Sequence, residues 1–332
     1  MKSPLLVLIY TVDCPLRCDF CWCSGNEYKP VKIRKEDAIR YIKEAAGLGV
    51  VKRVAFTGGE PFLHHAELVE VLDACKGLMP ARIVTSCYWA ETREKALEKL
   101  KPLVERGLDE LSCSTDPTHQ AFVPAAFVKN AVEVGLELGL VCEVVSVSWD
   151  TTSEIEDFMN GFRHPRLRFS QHLAVPMGRG RQRKVTWRDY NIPRPSQMGG
   201  CNLGGRDINI YPDGEVYPCC AGELNFLGRL SFGNTKKDSL KTILERIQAD
   251  AYVQLVFNRG FDAIYGLARW KFPHLLPLLP KDDNLASVCQ LCVRIHRDGD
   301  LMKALTPLLD YGKKLVEAEQ RLEGHKKGGN NN

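Results

Sequence analysis

From residue 5 to about residue 175 the sequence alternates short apolar runs with longer stretches whose apolar residues recur every three or four positions. The runs LLVLIY (5–10), VKRVAF (51–56), ARIVTS (81–86), LDELSCS (108–114), LVCEVVSV (140–147) and LRFSQHL (167–173) predict strands. Between them EDAIRYIKEAAGL (36–48), AELVEVLDACKGL (66–78), REKALEKLKPLVERG (93–107), AAFVKNAVEVGLEL (125–138) and SEIEDFMNGF (153–162) predict amphipathic helices. Strands separated by helices must run parallel, with the helices outside. The expected fold is therefore α/β, a partial (β/α)6 barrel rather than a closed eight-unit one, with function at the C-terminal ends of its strands.

The alternation stops in PMGRGRQRKVTWRDYNIPRPSQMGG (176–200), which predicts a division into a barrel over 1–180 and a smaller region over 181–322, with a disordered tail at 323–332. RDINIYPDGEVYPC (206–219) predicts a β-hairpin turning at PDGE, followed by two or three helices. A region this short is expected to lack a large core and to need a metal staple. GRGRQRK (178–184) reads as a solvated linker. It carries no interleaved aromatic residues and the net charge is only +4, so neither DNA nor RNA is expected as a partner. No apolar stretch near the N-terminus is long enough for a membrane span or a signal core, which predicts a cytoplasmic protein without membrane association. Thirteen cysteines in such a chain argue for reduced thiols and metal ligation rather than a disulfide framework.

Four of those thiols stand in YTVDCPLRCDFCWC (10–23), directly after the first strand. Cys14, Cys18 and Cys21 form C-x3-C-x2-C, which suits a 4Fe-4S cluster with one iron left open; with Cys23 as a fourth ligand the same stretch could close a zinc site. FTGGEPF (56–62) leaves the second strand. There Gly58 and Gly59 permit close approach of backbone to a ligand, and Glu60 can accept hydrogen bonds from an amino group. Near the other strand ends, Ser114, Asp116, and Ser146 or Ser148 read as cofactor contacts or as caps of the following helices. His119 reads as structural. Cys75 and Cys142 read as core residues, while Cys87 and Cys113 lie near strand ends, within reach of the cavity.

In these residues the chain resembles the radical SAM superfamily. The resemblance implies that Cys14, Cys18 and Cys21 hold a 4Fe-4S cluster whose open iron chelates S-adenosylmethionine, that Phe20 packs beside the cofactor, and that Gly58, Gly59 and Glu60 contact the methionine amine. Cys201 and Cys219 across the hairpin, with Cys289 and Cys292 in a C-x2-C, are similar to the twitch region, the shortened relative of the SPASM domain. That likeness implies one auxiliary 4Fe-4S cluster, hence two clusters in all.

A narrower resemblance, to radical SAM peptide epimerases that make D-amino acids in ribosomally produced peptides, rests on FTGGEPFL, STDPTHQAFV, RDINIYPDGEVYPCC, NRGFDAIYGL and SVCQLC. It implies that Cys220 donates a hydrogen atom and that Asp207 contacts the peptide. It also implies a precursor peptide as substrate and an external electron donor such as flavodoxin or ferredoxin. Because the first strand starts at residue 5, leader binding is expected to use the enzyme surface or to be absent. The rival expectation is a two-electron oxidation, as in aminocyclitol dehydrogenases or peptide cross-linking enzymes, with the auxiliary cluster as electron acceptor.

Overall fold

The computed structural model describes residues 4–23, 31–150, 155–159, 161–201, 204–219 and 230–328. Its strands are β1 (Leu6–Thr11), β2 (Val54–Gly58), β3 (Ala81–Thr85), β4 (Leu108–Ser114), β5 (Val141–Ser148), β6 (Leu167–Leu173), β7 (Gly204–Ile210) and β8 (Val216–Cys219). The helices are α1 (Lys35–Gly47), α2 (His65–Asp73), α3 (Arg93–Glu105), α4 (Pro117–Gln120), α5 (Ala125–Glu137), α6 (Leu240–Ala249), α7 (Ala251–Trp270), α8 (Val288–Arg297) and α9 (Gly299–Gly328). All six expected barrel strands form, pair in parallel, and follow the order β6-β5-β4-β3-β2-β1. Of the expected helix at 153–162, the described part is one 3-10 turn, Glu156–Met159.

Alternation along the strands separates two faces. Leu6, Leu8, Phe56, Ile83, Leu111, Cys113 and Val144 pack beneath the helices in the main core, where each such aliphatic side chain contributes about 1.5–3 kcal/mol by burial. The opposite face is apolar on one side, where Val7, Ile9 and Ala55 meet Tyr211 and Tyr217. Toward β3–β5 it is charged. Arg82 bonds Ser112 Oγ at 2.9 Å and Glu143 Oε2 at 2.5 Å and pairs with Glu110 at 3.2 Å, a ladder that locks the register of three strands.

Three expectations about the C-terminal region are corrected. The hairpin forms at its predicted turn, but it continues the barrel sheet: β7 pairs in parallel with β1, Leu6 beside Ile208 and Leu8 beside Ile210, and β8 returns antiparallel. Ile208, Ile210, Val216, Leu240 and Ile243 belong to the same core as the barrel, so the main core crosses the division expected at residue 180. The helical part has a core of its own, in which Tyr252, Phe261, Ile264, Leu291, Ile295, Leu305 and Leu308 are buried, so the expected lack of a large core does not hold and any metal adds to apolar packing. Finally, the basic segment at 178–184 is solvated only in part, over 181–184. Gly178–Gln182 is a 3-10 helix with Gly178 and Gly180 buried against the loop that follows β1. At the other end, α9 runs to Gly328, six residues into the expected tail; 329–332 lie outside the described residues.

Candidate functional site

The cysteine loop leaves the C-terminal end of β1 and is anchored by the exit of β2. Gly59 N–H donates to the Thr11 carbonyl at 2.7 Å, and Glu60 N–H to that of Asp13 at 2.7 Å. A Cβ at Gly58 would lie 2.1 Å from Thr11 O, and one at Gly59 2.0 Å from Asp13 O. The backbone that the paired glycines admit is therefore the chain's own. They press the exit of β2 against the thiol loop.

Glu60 is fully buried. Its carboxylate accepts from Phe62 N–H (3.1 Å), Thr85 Oγ1 (2.9 Å), Ser86 N–H (2.7 Å) and Ser86 Oγ (2.6 Å), tying β2 to the end of β3. Burial pushes its carboxyl up, against the lowering effect of those donors. Thr85 and Ser86, partners that sequence reasoning missed, also organise the next turn: Thr85 Oγ1 accepts from Cys87 N–H and Trp89 Nε1, both at 3.0 Å.

Cys14 and Cys21 are half-buried and Cys18 is buried, with Leu16, Phe20 and Val123 packed around them. Burial pushes Cys14 up to about 11 and Cys18 up to about 12, and each is raised further by the charge of its neighbours in the set. Burial raises Cys21 as well, and the positive charge of Arg179 opposes it. Among the described residues no three Cys, His, Asp or Glu side chains converge on one ion position, so a bound cluster would draw these thiols together. The donor chemistry fits such a group. Three soft thiols on one loop, each disfavoured as an isolated thiolate, are stabilised by a cationic iron core.

Phe20 projects from this loop against His119, ring centroids 5.4 Å apart. Asp116 is buried and acts as the N-cap of α4. Its carboxylate accepts from His119 N–H (2.9 Å), His119 Nδ1 (2.6 Å) and Val147 N–H (3.2 Å), so it serves as a cap and as a tie to β5. Ser114 ends β4 half-buried. Ser146 is buried on the face that carries Cys142 and Val144, toward the helix layer. The structure thus brings Cys14, Cys18, Cys21, Phe20, Gly58 and Gly59 together, with His119 beside them, while Glu60 points into the exit of β3. Cys87 and Cys113 are buried in the core, each within reach of the other's thiol. Cys23 is buried among Val7, Val12 and Tyr211.

The second thiol set is built around α7 and α8. Residues 198–200 cross α7 at its non-helical Gly260, and Cys201 N–H donates to Val256 O at 3.2 Å. Tyr252 donates its hydroxyl to Cys292 Sγ at 3.0 Å. Burial first, and then the charge of Cys292, Cys201 and Cys219, raise the Tyr252 hydroxyl well above its usual range. Cys289 packs with Cys292 against Met177. Asp207 lies elsewhere, beside the entry of β1, where Oδ1 accepts from Leu5 N–H at 3.0 Å. Six residues of strand, roughly 20 Å, separate that level from the exit of β1. Cys220 lies outside the described residues.

Comparison with known sequences decides between iron and zinc for this arrangement. Residues 8–166 match the family described as "Radical SAM superfamily", and residues 201–269 match SPASM, an "Iron-sulfur cluster-binding domain". The chain joins a Radical SAM domain to a SPASM domain. The first implies S-adenosylmethionine and a 4Fe-4S cluster, and the second further iron-sulfur binding. Over 314 residues the chain is 19% identical to YydG of Bacillus subtilis (strain 168), a protein named provisionally for peptide biosynthesis, covering 90% of this chain and 93% of that one. It is 26% identical over 293 residues to the PqqA peptide cyclase of Methylobacterium sp. (strain 4-46), covering 73% of each. Among solved structures, BtrN in complex with AdoMet and 2-DOIA is similar with a TM-score of 0.47 and 14% identity, covering 75% of this chain and 85% of that one. No helix among the described residues is long and apolar enough to cross a membrane.

Proposed function

We propose that this radical SAM protein epimerises residues of a ribosomally made peptide. The observation that carries the reading is its likeness, along nearly the whole of both chains, to YydG, a protein named for peptide biosynthesis. In this reading Cys14, Cys18 and Cys21 hold the cluster that binds S-adenosylmethionine, and Cys201, Cys219, Cys289 and Cys292 hold one auxiliary cluster. The first cluster and S-adenosylmethionine, when bound, would supply a carbon-centred radical able to take one hydrogen atom from a peptide Cα.

Cys220 then delivers the hydrogen of its S–H bond to the opposite face of the planar Cα centre. Cα–H forms, S–H breaks, and configuration inverts. One electron and one proton, from an external donor of the flavodoxin or ferredoxin class, restore the thiol. In the sequence Cys220 directly follows Cys219, the last residue of β8. Asp207 is assigned to the peptide on resemblance alone.

Likeness to the PqqA peptide cyclase favours one alternative, oxidative cross-linking within a peptide. Solvent deuterium separates the two. In heavy water an exchangeable thiol donor leaves one deuterium at each inverted Cα, a gain of about one mass unit, whereas removal of two hydrogens lowers the mass by about two. Cys220→Ala is expected to keep both clusters and to cleave S-adenosylmethionine, yet to form no D-residue. Epimerisation by Cys220→Ala at the wild-type rate, or a wild-type product without deuterium, overturns the reading.

A further inference from the structure

The segment from Val175 to Arg183 touches both thiol sets. At one end Met177 packs with Val293, Cys289 and Cys292, and Gln290 Nε2 donates to Pro176 O at 3.3 Å. One residue later the chain closes on the first set. Arg179 N–H donates to Cys21 O at 3.0 Å, and a Cβ at Gly178 (φ +56) would stand 2.4 Å from Cys21 O and 2.5 Å from Trp22 Cα. Only glycine permits that approach. The far end is pinned by Arg183, which donates to Asp19 Oδ2 at 2.7 Å and lies 5.3 Å over the Trp149 ring. Asp19, between Cys18 and Phe20, also accepts from Trp149 Nε1 at 3.0 Å.

The three arginines of this strap differ in what they do. Arg181 Nε donates to Gly178 O at 2.9 Å, and Arg183 is paired with Asp19. Arg179 is half-buried, and its guanidinium has neither an ion-pair nor a hydrogen-bond partner among the described residues. The charge it carries falls on Cys14 and Cys21. A half-buried cation is stabilised by an anionic neighbour, and Cys14 and Cys21, whose loop its backbone touches at Cys21 O, would carry negative charge as iron ligands.

We propose that Arg179 is a positioning residue, the fixed cation of the first cluster, which the strap holds against the thiol loop so that it raises the cluster's one-electron reduction potential. The proposal rests on the reading that Cys14, Cys18 and Cys21 hold that cluster. Reduction adds one electron from an external low-potential donor and hence one negative charge. A cation beside the ligands stabilises the reduced form more than the oxidised one.

The test is potentiometric titration of anaerobically reconstituted protein, followed by electron paramagnetic resonance, with the first cluster identified as the signal that responds to S-adenosylmethionine. Arg179→Gln removes the charge while keeping the backbone bond to Cys21, and Arg179→Lys keeps the charge. Arg179→Gln should bind wild-type iron, yet its reduction equilibrium should shift tenfold or more toward the oxidised form, about 59 mV for one electron. Arg179→Lys should recover most of that shift. An unchanged potential in Arg179→Gln overturns the proposal, as does loss of iron in both variants, because the residue would then be structural. Wild-type protein without any such signal would instead overturn the cluster assignment.

Discussion

Glu60 and Asp207 show how far single residues can be read. The GGE sequence marks Glu60 as special, and its neighbours explain why: four donors from its own chain converge on one buried carboxylate. No local pattern announces that Thr85 and Ser86, 25 residues on, supply three of them. Glu60→Ala would leave two backbone and two hydroxyl donors without an acceptor. It should therefore cost about 3 kcal/mol or more in the cluster-free protein, at roughly 1–3 kcal/mol per orphaned buried group, read as a lower urea midpoint. Weakened cofactor binding in that variant would report the damaged fold as well as a lost contact. Asp207 is the reverse case, a carboxylate whose burial raises its pKa against the lowering effect, among the described residues, of the Leu5 N–H. A raised folded-state pKa favours the neutral form. Its contribution to stability is complete below the unfolded value near 4 and disappears as pH rises through the folded value. Asp207→Asn should accordingly melt at higher temperature than wild type at pH 7, with the gain shrinking toward pH 4. A lower melting temperature at pH 7 would show that the charged form is stabilised where it stands.

The elements were legible where their pattern is local. Strands β1 to β6 and four barrel helices follow from apolar spacing, and the hairpin follows from PDGE, where Asp213 Oδ1 accepts from Glu215 N–H at 3.1 Å. The first thiol loop was legible for the same reason, since three cysteines within eight residues need no long-range contact to be found. What escaped is non-local. Gly178–Gln182 has no periodicity, and its arginines look solvated until Gly178 is seen against Cys21 and Arg183 against Asp19. The kink of α7 at Gly260 likewise acquires meaning only through residues 198–200, which it brings alongside the second thiol set.

At the scale of the molecule, the break in sequence pattern near residue 180 is not a break in the fold. β1 lies inside the sheet, with β2 on one side and β7 on the other, and Leu6 and Leu8 are buried beside Ile208 and Ile210. Register between strands some 200 residues apart leaves no trace in local spacing, which is why the hairpin could be predicted but not its partner. Removing everything after residue 180 would expose the β7-facing edge of β1 as an unpaired row of backbone groups flanked by buried leucines and isoleucine, the arrangement that invites edge-to-edge association. The fragment 1–180 should therefore run as aggregates in size-exclusion chromatography, or remain unfolded by circular dichroism. Extending it to residue 249, which restores β7, β8 and α6 with Leu240 and Ile243 in the same core, should recover a soluble folded monomer that lacks the helices around Tyr252. If 1–180 is itself monomeric and melts cooperatively at the temperature of the longer fragment, the hairpin is an accessory to the barrel rather than one of its walls.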